Sequence, residues 1–204
     1  MRCFGDGNKL YSDYHDHEWG RPVLDEHGLF ERICLEAFQS GLSWLIVLRK
    51  RAHLRKVFCA FDPQEVACFG AADVARLLDD KGTIRNRAKI EAAVANARAT
   101  LDLRQGSRPL PELVWTFRPR SAPAPSSFAE LPSLTPESTS LAKALKRNGF
   151  RFVGPTTAYA LMQACGLVND HLAGCLVRDE VDRRQASMPL GAFAGEGSTM
   201  GDLR

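Results

Sequence analysis

Asn148–Leu161 reads NGFRFVGPTTAYAL, and this stretch says more about the fold than any other part of the chain. The residues before it, Ser140–Arg147, have helical apolar spacing and end in the basic pair Lys146 and Arg147; Pro155–Gly166 predicts a second helix. Gly149 and Gly154 supply the turn between them. Pro155 suits a first helical position, because its ring presets φ and it has no N–H to lose. The amides that follow, from Thr156 onward, then point free from the positive end of a helix, where a phosphate can sit. An ordinary helix start has the same Gly-Pro-Thr-Thr string, so the local sequence leaves both readings open.

Working outward, the pattern stays helical. Leu29, Phe30, Ile33, Cys34 and Ala37 recur at three- and four-residue intervals, and Gly41 closes that helix before a new apolar run, Leu45–Leu48. Asp62, Pro63 and Glu65 have the cap, first-turn proline and third-position acid of a helix start. Ile84–Leu101 reads as a long amphipathic helix with Ile90, Val94, Ala97 and Leu101 on its apolar face. Period-two alternation is nearly absent, so the expected fold is all-α. Residues 104–127 carry five prolines and predict a loop-rich crossing between lobes. One two-lobed domain is expected over residues 1–178, with a flexible tail over 179–204.

Composition narrows the function. With 204 residues and 45% hydrophobic content, the chain can bury one substantial core. No apolar run approaches the ~20 residues of a spanning helix, so no membrane role is expected. The six cysteines lack a secretory leader and three lie in helical apolar patterns, which predicts free thiols in the cytoplasm. A net charge of +3 says little, but its distribution says more. Arg49, Lys50, Arg51, Arg55 and Lys56 form one basic stretch; Lys81, Arg85, Arg87 and Lys89 a second; Lys143, Lys146, Arg147 and Arg151 a third. Such runs are usually solvated faces, and they track phosphates only if they share a side. The turn around Gly149 and Gly154 resembles a helix-hairpin-helix, a motif that grips the DNA backbone without reading sequence.

Chemistry-bearing residues gather in two further places. Cys3 and His15 near the start, with His171 and Cys175 near the end, make four nitrogen and sulfur donors, a set that suits a closed tetrahedral Zn²⁺ site. His171 and Cys175 are one helical turn apart, whereas Cys3 and His15 are spaced more loosely than a zinc knuckle; free thiols and a surface histidine are the alternative. YSDYHDHEWG, Tyr11–Gly20, shows no clear period and reads as a loop carrying Tyr11, Tyr14 and Trp19. Glu36 lies about 20° from Leu29 around its helix, at the edge of an apolar stripe where a charge is costly unless partnered. It either snorkels to water or, with Trp44 returning beside it past Gly41, forms a pocket for a flat, cationic ring.

Taken together, Cys3, YHDHEWG (Tyr14–Gly20), LFERICLEAFQSGLSW (Leu29–Trp44), IRNRAKI (Ile84–Ile90), LKRNGFRFVGPTTAYALMQACGLVNDH (Leu145–His171) and Cys175 resemble the type I 3-methyladenine DNA glycosylases, from about residue 2 to 177. The resemblance implies a helix-hairpin-helix DNA repair glycosylase, working as a monomer on alkylated double-stranded DNA, that flips out and excises 3-methyladenine. It implies a structural Zn²⁺ on Cys3, His15, His171 and Cys175. It implies that Glu36 and Tyr14 bond the base edge, that Trp44 stacks on the base face, and that Tyr11 and Trp19 complete the wall. Lys146, Arg147, Gly149, Gly154 and Thr156 would meet the DNA backbone. No lysine nucleophile stands in these motifs, so a monofunctional enzyme is expected. Asp170, beside His171, is an alternative catalytic carboxylate, ranked below Glu36. Two other classes stay open: a DNA-binding module without excision, and a hydrolase using a metal-bound water. The family's tryptophan shortly after the first cysteine is missing, replaced by Phe4, Gly5 and Asp6, and the segment beyond Cys175 is longer than the family needs.

Overall fold

A computed structural model describes residues 1–106, 108–119 and 123–188. Among these residues the ordered elements are all helical. In chain order they are α1 (Lys9–His17), α2 (Glu26–Gln39), α3 (Trp44–Val57), α4 (Pro63–Ala67), α5 (Ala71–Asp79), α6 (Arg87–Gln105), α7 (Leu110–Trp115), α8 (Pro136–Arg147), α9 (Pro155–Ala164) and α10 (Arg178–Ala186), with short 3₁₀ turns at Cys59–Phe61 and Phe128–Glu130. None of the described helices is long and apolar enough to cross a membrane.

Local sequence explains most boundaries. Asn8, Asp25, Asp62, Asn86 and Thr135 each accept a first-turn amide with their side chains, opening α1, α2, α4, α6 and α8. The long helix α6 begins at Arg87 rather than at Ile84, because Asn86 is its cap. Likewise α8 starts at Pro136, one turn before the expected Ser140, because Thr135 and Ser138 satisfy each other's backbone amides.

The core is built around α2 and α6, which pack on each other; α4 covers α6, and α9 lies against both α2 and α8. Leu29, Phe30, Ile33, Phe38, Phe58, Phe61, Ile90 and Leu141 are fully buried in it. Burying each such side chain contributes about 1.5–3 kcal/mol.

Three sequence expectations need correction. The loop expected over Tyr11–Gly20 is largely helix α1, whose aromatic and histidine side chains face two different clusters and so produce no single apolar stripe. The loop-rich crossing contains α7, whose Pro111 falls in a first turn where a missing N–H costs nothing; Trp115 ties it down by donating to the Val23 carbonyl at 2.9 Å. The flexible tail expected from residue 179 begins instead as α10. Val181 is fully buried, Gln185 donates to the Gly20 carbonyl at 3.2 Å, and Asn169 donates to Asp182 at 2.7 Å. Residues 189–204 of that expected tail lie outside the described residues.

Candidate active site

Five separate segments converge on an open cavity of about 430 Å³. The N-terminal strap and α1 contribute Phe4, Tyr11 and Tyr14, the end of α1 leads to Trp19, α2 gives Glu36 and Gln39, and α3 gives Trp44. The far wall comes from Phe128 and Leu131 of the proline-rich segment and from Ala160 and Gln163 of α9. All five residues singled out around this pocket in the sequence, Tyr11, Tyr14, Trp19, Glu36 and Trp44, are therefore brought together. Phe4, Gln39, Phe128, Leu131 and Gln163 were not foreseen. Of these only Phe4, placed next to a candidate ligand where an aromatic was missed, carried a signal.

The rings form a connected set. Tyr14 and Trp44 have centroids 5.1 Å apart and tilted by 46°, while Phe4 lies 4.7 Å from Tyr11 and edge-on to Trp19 at 5.0 Å. Such walls suit a flat heterocycle. Phe4 thus fills a side of the cavity that the absent tryptophan left in question.

Glu36 is 5% exposed, and no protein donor among the described residues reaches its carboxylate. Burial pushes its carboxyl up to about 8, with the Arg32 guanidinium one turn earlier pulling the other way. Arg32 itself is held by Glu18, which also receives Arg51 at 2.6 Å. Burial, then the Glu36 charge, push the Tyr14 phenol well above its ordinary value, so Tyr14 remains a neutral donor. The Trp44 indole N–H is buried and unpaired among the described residues. Unpaired buried groups of this kind are rare away from functional sites.

A second cavity of about 290 Å³ shares Glu36, Gln39 and Ala160 with the first and runs past Ser40, Gly41 and Leu42 to Thr156 and Thr157. Its floor is therefore the first turn of α9. No side chain caps this helix, and the first helical bond, from Ala158 N–H to the Gly154 carbonyl at 2.8 Å, leaves the Thr156 and Thr157 amides free. The connection from α8 is closed by Gly149 at φ 89°, with Gly149 N–H on Lys146 O and Phe150 N–H on Leu145 O. Asn96, fully buried in α6, clamps its middle: Arg151 N–H donates to Asn96 Oδ1 at 2.7 Å, and Asn96 Nδ2 donates to the Arg151 carbonyl at 3.2 Å.

Much of the first two basic stretches is committed to protein partners, while Arg87 of the second and Arg151 of the third line one cavity. Arg51 and Arg55 are consumed by Glu18 and Glu31, Lys50 by the Lys81 and Gly82 carbonyls, and Lys89 by the Phe38 and Ser40 carbonyls at the end of α2. Lys146, Arg147 and Arg151 are exposed, and among the described residues no carboxylate pairs with them. Asp170 is also committed. Its Oδ2 accepts the Tyr159 hydroxyl at 2.6 Å and Gln163 Nε2 at 2.7 Å, and it does not line the cavity.

The two Cys/His clusters meet directly behind the cavity. The donor atoms of Cys3, His15, His171 and Cys175 all lie within 4.8 Å of one another, and three of these residues are buried. Cys175 Sγ is 3.3 Å from His171 Nδ1 and 3.5 Å from His15 Nε2, and Cys3 Sγ is 3.6 Å from His171 Nδ1. Metal bonds of roughly 2.0–2.3 Å at tetrahedral angles place nitrogen and sulfur at this separation. The tautomers fit as well. His15 Nδ1 lies 2.8 Å from Asp16 and His171 Nε2 lies 3.1 Å from the Trp19 carbonyl, so the opposite ring nitrogens face the cluster; His15 Nε2 there also accepts the Cys3 backbone N–H at 3.1 Å. Without a cation, burial pushes the Cys3 thiol up to about 12 and the His171 imidazole down to about 4. A dication reverses the thiol preference and rewards the neutral imidazole.

With this geometry in place, a family model described as methyladenine glycosylase matches residues 4–179. A DNA-3-methyladenine glycosylase 1 of Escherichia coli (strain K12) is 50% identical over 169 residues, covering 81% of this chain and 90% of the relative. A crystal structure of a 3-methyladenine DNA glycosylase I superposes with a TM-score of 0.84 at 47% identity, covering 86% of this chain and 98% of the other. The Staphylococcus aureus enzyme, solved to define its recognition of 3-methyladenine, gives 0.82 at 32% identity, covering 86% and 95%.

Proposed function

The chain belongs to the methyladenine glycosylase family, and from that membership we propose that its aromatic cavity receives a 3-methyladenine turned out of duplex DNA, with Glu36, Tyr14 and Trp44 as its binding and catalytic groups. The activity is hydrolysis of an N-glycosyl bond, the excision step of base-excision repair. The observation that carries the assignment of residues is the unpaired, buried Glu36 carboxyl set among ring faces.

The chemistry follows from charge. A base inside the duplex is out of reach, and extruding it costs a few kcal/mol, roughly, which a damaged base lowers. Methylation at N3 makes the adenine cationic, which weakens its bond to the sugar and removes the need for a strong acid on the leaving base. The cation stacks on electron-rich Trp44 and draws Glu36 into its ionised form. Tyr14 donates its neutral hydroxyl to the base edge, and Tyr11, Trp19 and Phe4 exclude competing solvent. Water then attacks the sugar, leaving an abasic site.

The α8–α9 connection supports a helix-hairpin-helix reading, in which the free Thr156 and Thr157 amides hold a phosphate next to the smaller cavity. Lys146 and Arg147 add charge, and Gly154 has open space around it for a close backbone approach. Leu42, 38% exposed at the lip of that cavity, is placed to enter the gap left by the base. Lys146→Ala is expected to weaken binding evenly across DNA sequences and to lower the salt dependence of log K by about one ion. A sequence-dependent loss would contradict a backbone role.

The N₂S₂ group fits Zn²⁺ with no open coordination position, which supports a structural ion that fastens the chain's ends and supplies no step of the reaction. Asp170 is better read as a brace than as a catalyst, since both its recorded partners are protein donors.

Mass spectrometry of bases released from methylated duplex DNA tests the assignment. Selective release of 3-methyladenine is expected, and DNA binding without release would favour a module that has lost excision. Among the described residues no lysine lines the cavity, so borohydride should trap no covalent DNA adduct. A trapped adduct would rule out the monofunctional route.

A further inference from the structure

Gln163 lines the cavity from α9, one turn beyond Ala160, and its main chain is pinned by Gly20 N–H donating to its carbonyl at 3.1 Å. Its side-chain amide is ambivalent by nature, with a donor at one end and an acceptor at the other. Here the surroundings remove the choice. Asp170 Oδ2 accepts the Tyr159 hydroxyl at 2.6 Å, and an oxygen that accepts one proton at this distance presents lone pairs to its other neighbour. The nitrogen end of Gln163 must therefore face it, at 2.7 Å. Oε1 is the end left over, and among the described residues no protein donor reaches it.

We propose that Gln163 is a specificity-determining residue: its Oε1, held toward the cavity by Asp170 and Tyr159, accepts an N–H from the exocyclic amine of the flipped base and so favours 6-amino over 6-oxo methylated purines. The inference rests on the reading of the cavity as the base site. A 6-oxo purine would set one lone pair against another and leave two acceptors unpaired, the kind of mismatch that polar sites reject strongly. A free glutamine would turn over and accept both bases. The buried carboxylate converts it into a reader of one sign, which explains why a committed aspartate stands behind a cavity that it does not touch.

The test is release of 3-methyladenine and 3-methylguanine from the same methylated duplex DNA, measured in single turnover by mass spectrometry. Gln163→Met, which keeps length and loses the acceptor, should cut the preference for 3-methyladenine by about tenfold, mainly by slowing its release. Asp170→Asn, which lets the amide turn, should cut the preference by raising release of 3-methylguanine. Tyr159→Phe should do so more weakly and gives a third reading if either other variant fails to fold. Variants that slow both bases equally, with the ratio preserved, would show a merely structural role and overturn the proposal. If the intact protein releases neither base, the base-site reading itself fails.

Discussion

Glu36→Gln is expected to lower base release by roughly 10²–10³-fold and, at the same time, to raise the melting temperature. The two effects share one cause. The carboxyl titrates near 4.5 when solvated and at about 8 in the folded chain, because burial disfavours its charge. Between those values the native state holds a proton that the unfolded state has released, so stability falls as pH rises through this window. At pH 7 the cost is on the order of 3 kcal/mol, which for a chain of this size corresponds to several degrees. Glutamine keeps the shape and never ionises. Its advantage in melting temperature should be clear at pH 7–8 and fade toward pH 4.5. In the intact enzyme kcat/KM should rise with pH through about 8, while the apparent pKa of kcat lies lower, because the bound cation favours the carboxylate. The variant should lose this pH dependence. A glutamine variant that is less stable at pH 7, or that keeps full activity, would refute the account.

Metal removal should have the other large effect. The candidate ligands Cys3 and His171 are separated by 168 positions, and closing a loop of that length stabilises the folded chain by about 5 kcal/mol in the chain-entropy treatment used for cross-links. One Zn²⁺ per chain is expected by elemental analysis. Chelation, or Cys175→Ala without chelator, should lower the melting temperature by about 10–20 °C, given the usual few degrees per kcal/mol. Release of 3-methyladenine should fall in proportion to the folded fraction. A chain that stays fully folded without metal but stops turning over would point to a metal-bound water instead. Absence of metal in purified protein would remove the staple altogether.

Some structural signals are local enough to be carried by contiguous sequence, and others arise only on packing. The α8–α9 connection was legible because its turn, proline and basic helix are contiguous, and each has a local physical reason. Glu36 was legible as an anomaly, a charge on an apolar stripe. Helix α1 was not, because Tyr14 faces the cavity while His15 faces the Cys/His cluster, and alternate duties erase periodicity. Helix α10 was hidden by its polar composition, since one buried valine and a few hydrogen bonds hold it. Gln163, Phe128 and Leu131 gave no warning. Their role depends on where α9 and the proline-rich segment come to rest, which is a property of tertiary packing.

The adjacency of Cys3 and Phe4 links assembly to timing. Phe4 walls the cavity, and the residue beside it completes the Cys/His cluster only when His171 and Cys175 have been made. During synthesis, α1–α6, with Glu36 and Trp44, are made long before the C-terminal half of the Cys/His cluster. Residues made late in synthesis therefore back the cavity wall, and a chain cut short before Cys175 would carry Tyr14, Glu36 and Trp44 yet lack part of the cluster behind Phe4.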